Sequence, residues 1–176
     1  MDFGRRTLLA LLSLTAVLCA VAPPAFGQAP PPSPSPAAAK LTLVGEGGKR
    51  VELTAADFAK LPHQMVPGAD KDAGTFEGVS LTELLRLVGA PLGDALSHHE
   101  HPTWYVVIDA KDGYHALFAL AELDPAFSDR VVLLADRKNG QPLAADEGPW
   151  RLVVPGDRRH ARWVHQVSGL RLERAR

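Results

Sequence analysis

The sequence predicts an α+β fold, with many short strands in which one layer of sheet closes on another and two or three small helices. Three observations carry this reading. Apolar residues recur in short runs, several of them alternating with polar ones. Glycine and proline turn signals separate those runs, among them Gly47-Gly48, Asp112-Gly113 and Asn139-Gly140. Only Leu81 to Val88 shows clear helical periodicity between a start and a stop signal.

The chain opens with Arg5-Arg6, an uncharged apolar run from Leu8 to Ala22, the breakers Pro23 and Pro24, and small residues at Ala25 and Gly27. This is the order of a secretory signal, expected over residues 1–27 with cleavage before Gln28, which places the mature protein in the periplasm or medium of a bacterium, with no membrane attachment after cleavage. The paired arginines also suit the twin-arginine route, although Gly4 stands where Ser or Thr is usual. Residues 28–39 hold Pro30, Pro31, Pro32, Pro34 and Pro36 among Ala and Ser, the composition of an extended, solvated linker.

A folded domain is expected over residues 40–173. Leu41 and Leu43, then Val51 and Leu53, alternate with polar residues on either side of a glycine turn, which predicts two strands. Thr54 starts a short helix running to Leu61 and stopped by Pro62. Ser80 caps the clearest helix, Glu83 completes a capping box and Gly89 ends it; Leu81, Leu84, Leu85 and Val88 share its buried face. Trp104–Ala110 and Tyr114–Ala119 form a hairpin across Asp112-Gly113. Leu120 to Leu123 makes a helical turn, and Arg130–Ala135, Arg151–Val154 and Trp163–Leu172 are strands, the last with a bulge at Gly169.

Of the 176 residues, 46% are hydrophobic and 22% charged, with a formal charge of -1. That is an ordinary globular composition without the basic footprint of a nucleic-acid binder. The single cysteine, Cys19, lies inside the signal segment, so the mature chain has no thiol for a disulfide or a metal.

Two clusters could carry chemistry. His98-His99-Glu100-His101 has the residue types of a transition-metal site, but adjacent side chains seldom all reach one ion, and a polar surface loop is the expected role. Arg158, Arg159 and Arg162, with Arg151 before them and Asp157 partly balancing them, could form a pocket for phosphate or another oxyanion. Asp109, Asp112 and Asp124 read as turn and cap residues. No G-x-S-x-G elbow, H-E-x-x-H motif or phosphate-cradling glycine loop is present.

Phe76-Glu77-Gly78-Val79-Ser80-Leu81, Asp109 to Tyr114, Asn139 to Leu143, Gly148-Pro149-Trp150-Arg151-Leu152-Val153-Val154-Pro155-Gly156 and Arg162-Trp163-Val164 occur in an order and spacing that resemble the sulfite-oxidase-type molybdopterin-binding domain, specifically its compact stand-alone bacterial members. The resemblance implies a sulfite-oxidase-like fold and a pterin dithiolene holding molybdenum, with a protein cysteine as a further ligand. It also implies anion-binding roles for Arg151 and, where a Lys commonly precedes the Trp, for Arg162; Glu147 stands where a His is usual. With no cysteine to offer, the expectation is a protein binding a pterin or small oxyanion near Arg151, Arg158 and Arg162, and not a molybdenum enzyme by itself. Two alternatives stand beside it: a cofactor-free interaction module with a periplasmic redox partner, and a molybdenum oxidoreductase with a non-Cys metal site.

Overall fold

The computed structural model describes residues 39–175 except 70, 71, 96 and 98. The signal segment expected over residues 1–27 and nearly all of the linker expected over 28–39 lie outside the described residues. Ten strands and three short helices follow in order: β1 (Lys40–Val44), β2 (Arg50–Thr54), α1 (Ala55–Phe58), β3 (Gln64–Pro67), β4 (Thr75–Ser80), α2 (Leu81–Leu87), β5 (Trp104–Ala110), β6 (His115–Ala119), α3 (Leu120–Leu123), β7 (Leu133–Lys138), β8 (Gln141–Pro142), β9 (Arg151–Val153) and β10 (Val167–Arg174).

The strands form two mixed-length sheets. The first runs β2-β1-β10-β5-β6, and the second runs β3-β4-β7-β8 with β9 also on β7. Among the described residues only β1 and β10 pair in parallel, side by side at Leu43 and Leu170. One core joins the sheets: Leu41, Val106, Ile108 and Phe118 from the first, and Phe76, Val79, Leu134 and Leu152 from the second, are all buried.

Local sequence explains the elements that position the site. Helix α2 buries Leu81, Leu84 and Leu85, one stripe at helical spacing, and its Ser80 Oγ accepts from the Glu83 amide at 3.2 Å. The Glu83 carboxylate turns to Arg86 at 3.4 Å, so the reciprocal box expected there is found instead on α1, where Thr54 and Asp57 bond each other's amides. The register of β4 on β7 shifts between Glu77 and Gly78, where Asp136 of β7 is the extra residue. Phe76, before this shift, and Val79, after it, are both buried in the core. A Cβ on Gly78 would lie 2.1 Å from the Leu134 carbonyl oxygen, which is why only glycine fits there.

The hairpin on Asp112-Gly113 and the bulge at Gly169 are found where the sequence placed them. Several bounds differ. The strand expected over Arg130–Ala135 is Leu133–Lys138, because the Val132 carbonyl instead accepts from the Leu81 amide at the start of α2. The strand expected from Trp163 starts at Val167, since Trp163 ends a 3-10 turn over His160–Arg162. The helix expected to reach Leu61 stops at Phe58. Strands β3, β4 and β8 are found where the sequence reading predicts no strand. Asp109 is neither a turn nor a cap residue: it sits within β5, where Arg171 Nε and His115 Nδ1 each meet its carboxylate at 2.8 Å.

Candidate functional site

The centre of the candidate site is a buried guanidinium. Arg151 opens β9, opposite Ala135 of β7, and is only 1% exposed. Its Nη2 meets Asp72 Oδ2 at 2.9 Å, and its Nη1 donates to Glu147 Oε1 at 2.8 Å. The rings of Phe76 and Trp163 lie 5.3 Å and 5.5 Å from the guanidinium carbon. A charge taken this far from water is stable only when paired and hydrogen-bonded. Here two carboxylates and two aromatic faces supply that pairing. The Nε has no hydrogen-bond partner among the described residues.

Each carboxylate is delivered by a shaped loop. Asp72 lies between β3 and β4, in a segment closed by the Gly68 amide donating to the Gly74 carbonyl at 2.7 Å. The Asp72 carbonyl packs so tightly on Gly68 that a Cβ there would come within 2.0 Å of it. Glu147 lies between β8 and β9. Its amide donates to Ala144 O at 3.0 Å, and its carbonyl accepts from the Gln166 amide at 2.8 Å.

A histidine completes the cluster. His160 Nδ1 meets Asp72 Oδ2 at 2.8 Å, which makes Nδ1 the proton-bearing nitrogen. Its ring stacks on Trp163 at 4.0 Å and 16°. Trp163 is fixed in turn by donating from Nε1 to the Val154 carbonyl at 3.0 Å. Burial pushes the Asp72 carboxyl up, but Arg151 and then His160 outweigh it, and the net shift is downward. Two carboxylates thus face one guanidinium, with the imidazole on the outer side of Asp72.

Arg162 belongs to a second cluster. It grips Asp157 with two hydrogen bonds, Nε to Oδ2 at 2.8 Å and Nη2 to Oδ1 at 2.7 Å, and donates from Nη1 to Glu122 Oε2 at 3.2 Å. Arg130 joins the same two carboxylates, Glu122 at 3.1 Å and Asp157 at 3.6 Å, and the Arg162 guanidinium lies 4.4 Å over Phe118. The hydrogen bond from Arg162 holds the Asp157 carboxyl below its usual range, and Asp157 raises Arg162 further above its own.

The three arginines singled out in the sequence are therefore placed differently. Arg151 is buried between acids, Arg162 is part-buried in its own ion network, and Arg158 is exposed with Arg159 beside it. A groove of about 400 Å³ beside this turn is lined by Val66, Pro67, Arg130, Val131, Pro155 and Gly156, and by none of these three arginines. Sequence reasoning missed Asp72, Glu122 and the role of His160. No local signal marks the contacts of Asp72 with Arg151, Glu122 with Arg162 or His160 with Asp72, because each spans 40 or more residues of sequence.

The histidine run gives no metal centre among the described residues, where no group of three His, Cys, Asp or Glu side chains could hold an ion. His98 lies outside the described residues, His99 is exposed, and the Glu100 carboxylate accepts from Ser97 Oγ at 2.9 Å and pairs with Arg174 at 3.6 Å.

Residues 28–175 match the model of the oxidoreductase molybdopterin binding domain. The chain is 31% identical to the mitochondrial sulfite oxidases of Mus musculus and Homo sapiens, over 79% of its own length and 30% of theirs. It thus spans about a third of those relatives. The crystal structure of the sulfane dehydrogenase SoxCD from Paracoccus pantotrophus superposes with a TM-score of 0.59 at 22% identity, covering 78% of this chain and 39% of that one. That likeness concerns the sulfite-oxidase-like fold.

Proposed function

Because the chain belongs to the oxidoreductase molybdopterin-binding domain family, we propose that it uses this fold as a cofactor-free interaction module of an exported redox system. The observation that carries the reading is the closure of Arg151 between Asp72 and Glu147. A molybdenum centre of the kind the resemblance implies needs a soft protein thiolate, and the matched residues 28–175 contain no cysteine. An anionic pterin needs free cationic donors. Both terminal nitrogens of Arg151 already hold carboxylates, its one unpartnered nitrogen, Nε, is buried with the rest of the side chain, and all three nitrogens of Arg162 hold carboxylates. Two carboxylates around one buried guanidinium repel a further anion. The residues present therefore do not fit the group. The export element of the reading rests on the composition of residues 1–27.

A second reading, a pterin or small-oxyanion binder, is favoured by one feature. Arg158 is exposed beside Arg159 and could meet such a ligand at the surface.

One purification tests both. The full chain is expressed with its own N-terminal segment in a host that makes molybdopterin, and molybdenum content and pterin fluorescence are measured on the purified protein. The expected result is neither in stoichiometric amount. Stoichiometric molybdenum would overturn the reading, and pterin without metal would replace it with the second.

A further inference from the structure

Arg151 has the surroundings of an oxyanion seat. The guanidinium is planar, lies against the adjoining rings of Phe76 and Trp163, and presents Nη1 and Nη2 to two oxygen atoms at 2.8 Å and 2.9 Å. That forked donation is how arginine recognises carboxylate, sulfate and phosphate oxygens. Here the oxygens belong to the chain itself.

The two carboxylates are not equivalent. Asp72 also holds His160, and its own loop closes tightly around Gly68. The Glu147 side chain is 20% exposed, against 2% for that of Arg151, so it reaches from the solvent side inward to Nη1. Its backbone is fixed by Ala144 and by Gln166, which makes the inward placement a property of the turn.

We propose that Glu147 is a tethered occupant of an oxyanion seat on Arg151, and that removing its carboxylate opens the seat to a small tetrahedral oxyanion of the sulfate class. This inference rests on the cofactor-free reading above and gives it a cause. With Glu147 present, both terminal nitrogens of Arg151 already hold a carboxylate, and Nε is its one nitrogen without a partner among the described residues. Without it, Asp72 alone balances Arg151, and Nη1 becomes a buried donor whose lost partner an oxyanion restores.

The test titrates sodium sulfate against sodium chloride at matched ionic strength into the full chain, the Glu147→Ala variant and the Glu147→Gln variant. Uptake is followed by calorimetry and by the thermal midpoint, which shares no readout with the molybdenum assay. Circular dichroism confirms that each variant folds. The expected result is saturable, single-site sulfate uptake in Glu147→Ala, with half-saturation at least about tenfold below that of the wild type, and a smaller gain in Glu147→Gln. If Glu147→Ala does not fold, Glu147→Gln decides alone, because it removes the charge and keeps the shape. Equal half-saturation in all chains, or no uptake in a folded variant, overturns the proposal. So does loss of uptake when Arg158→Gln is added, which would place the anion on the exposed turn. Molybdenum or pterin on the wild-type chain would sink the functional reading, whereas failure of the sulfate titration removes only the role given to Glu147.

Discussion

Glu147 and Arg151 stand four residues apart and meet at 2.8 Å, with the arginine side chain 2% exposed. Breaking one side of a buried pair leaves the other side uncompensated. Arg151→Met should therefore cost about 3–5 kcal/mol at neutral pH, since it strands Asp72 and Glu147 together. Asp72→Asn keeps a hydrogen-bonding shape and should cost less, about 2 kcal/mol, the scale of one charged hydrogen bond. Urea unfolding of both variants checks the order. Arg151→Met no less stable than Asp72→Asn would mean that the guanidinium is not the hub of the cluster.

Acid should unfold the domain through the same carboxylates. Asp72, Asp109 and Asp157 all titrate below their ordinary value of 3.8 in the folded state. Burial opposes the shift at Asp72 and Asp109 and is overcome by Arg151 and Arg171, while the Arg162 hydrogen bond leads at Asp157. A depressed carboxyl contributes its stability in full above the unfolded value and loses it as pH falls through the folded one. Urea midpoints should stay flat from about pH 7 to about pH 5 and drop below about pH 4. Asp157→Asn should soften that drop. An unchanged acid limb in this variant would remove Asp157 from the account.

Much of the architecture was legible because it is written locally. Ser80, the Leu81 to Val88 stripe, Asp112-Gly113 and Gly169 each carry their signal within a few residues. Strands β3 and β4 escaped because their local signals contradict their state. Val66 is the one buried residue of β3, which ends in Pro67, and Gly78 interrupts β4. Sheet pairing overrides those propensities. The same division holds in the site. Arg151, Arg162 and Glu147 lie in a recognisable run, whereas Asp72 and Glu122 reach them from 79 and 40 positions away along the chain.

Gly68 should be as sensitive as the acid it positions. A methyl group there meets the Asp72 carbonyl oxygen at 2.0 Å, so the loop must shift and carry the carboxylate away from Arg151. Gly68→Ala is expected to cost about 2–3 kcal/mol by overpacking. Because much of that loss is the Asp72–Arg151 contact, Gly68→Ala with Asp72→Asn should fall short of additivity by about 1 kcal/mol or more. Full additivity would show that Gly68 does not act through Asp72.

Arg162 offers a test of geometry apart from charge. Its fork holds both oxygens of Asp157, its Nη1 reaches Glu122, and its plane covers Phe118 at 4.4 Å. Lysine keeps the charge but can neither fork onto Asp157 nor lie flat on the ring. Arg162→Lys should cost about 1–2 kcal/mol, on the scale of a lost charged hydrogen bond. Arg130 remains 3.6 Å from Asp157 and limits the loss. The hydrogen bond from Arg162 is the leading cause of the lowered Asp157 value, so the same variant should raise the Asp157 titration midpoint toward the ordinary carboxyl range, as read by NMR. If Arg162→Lys leaves both stability and that midpoint where they are, charge alone holds the turn, and the fork contributes nothing that a point charge does not.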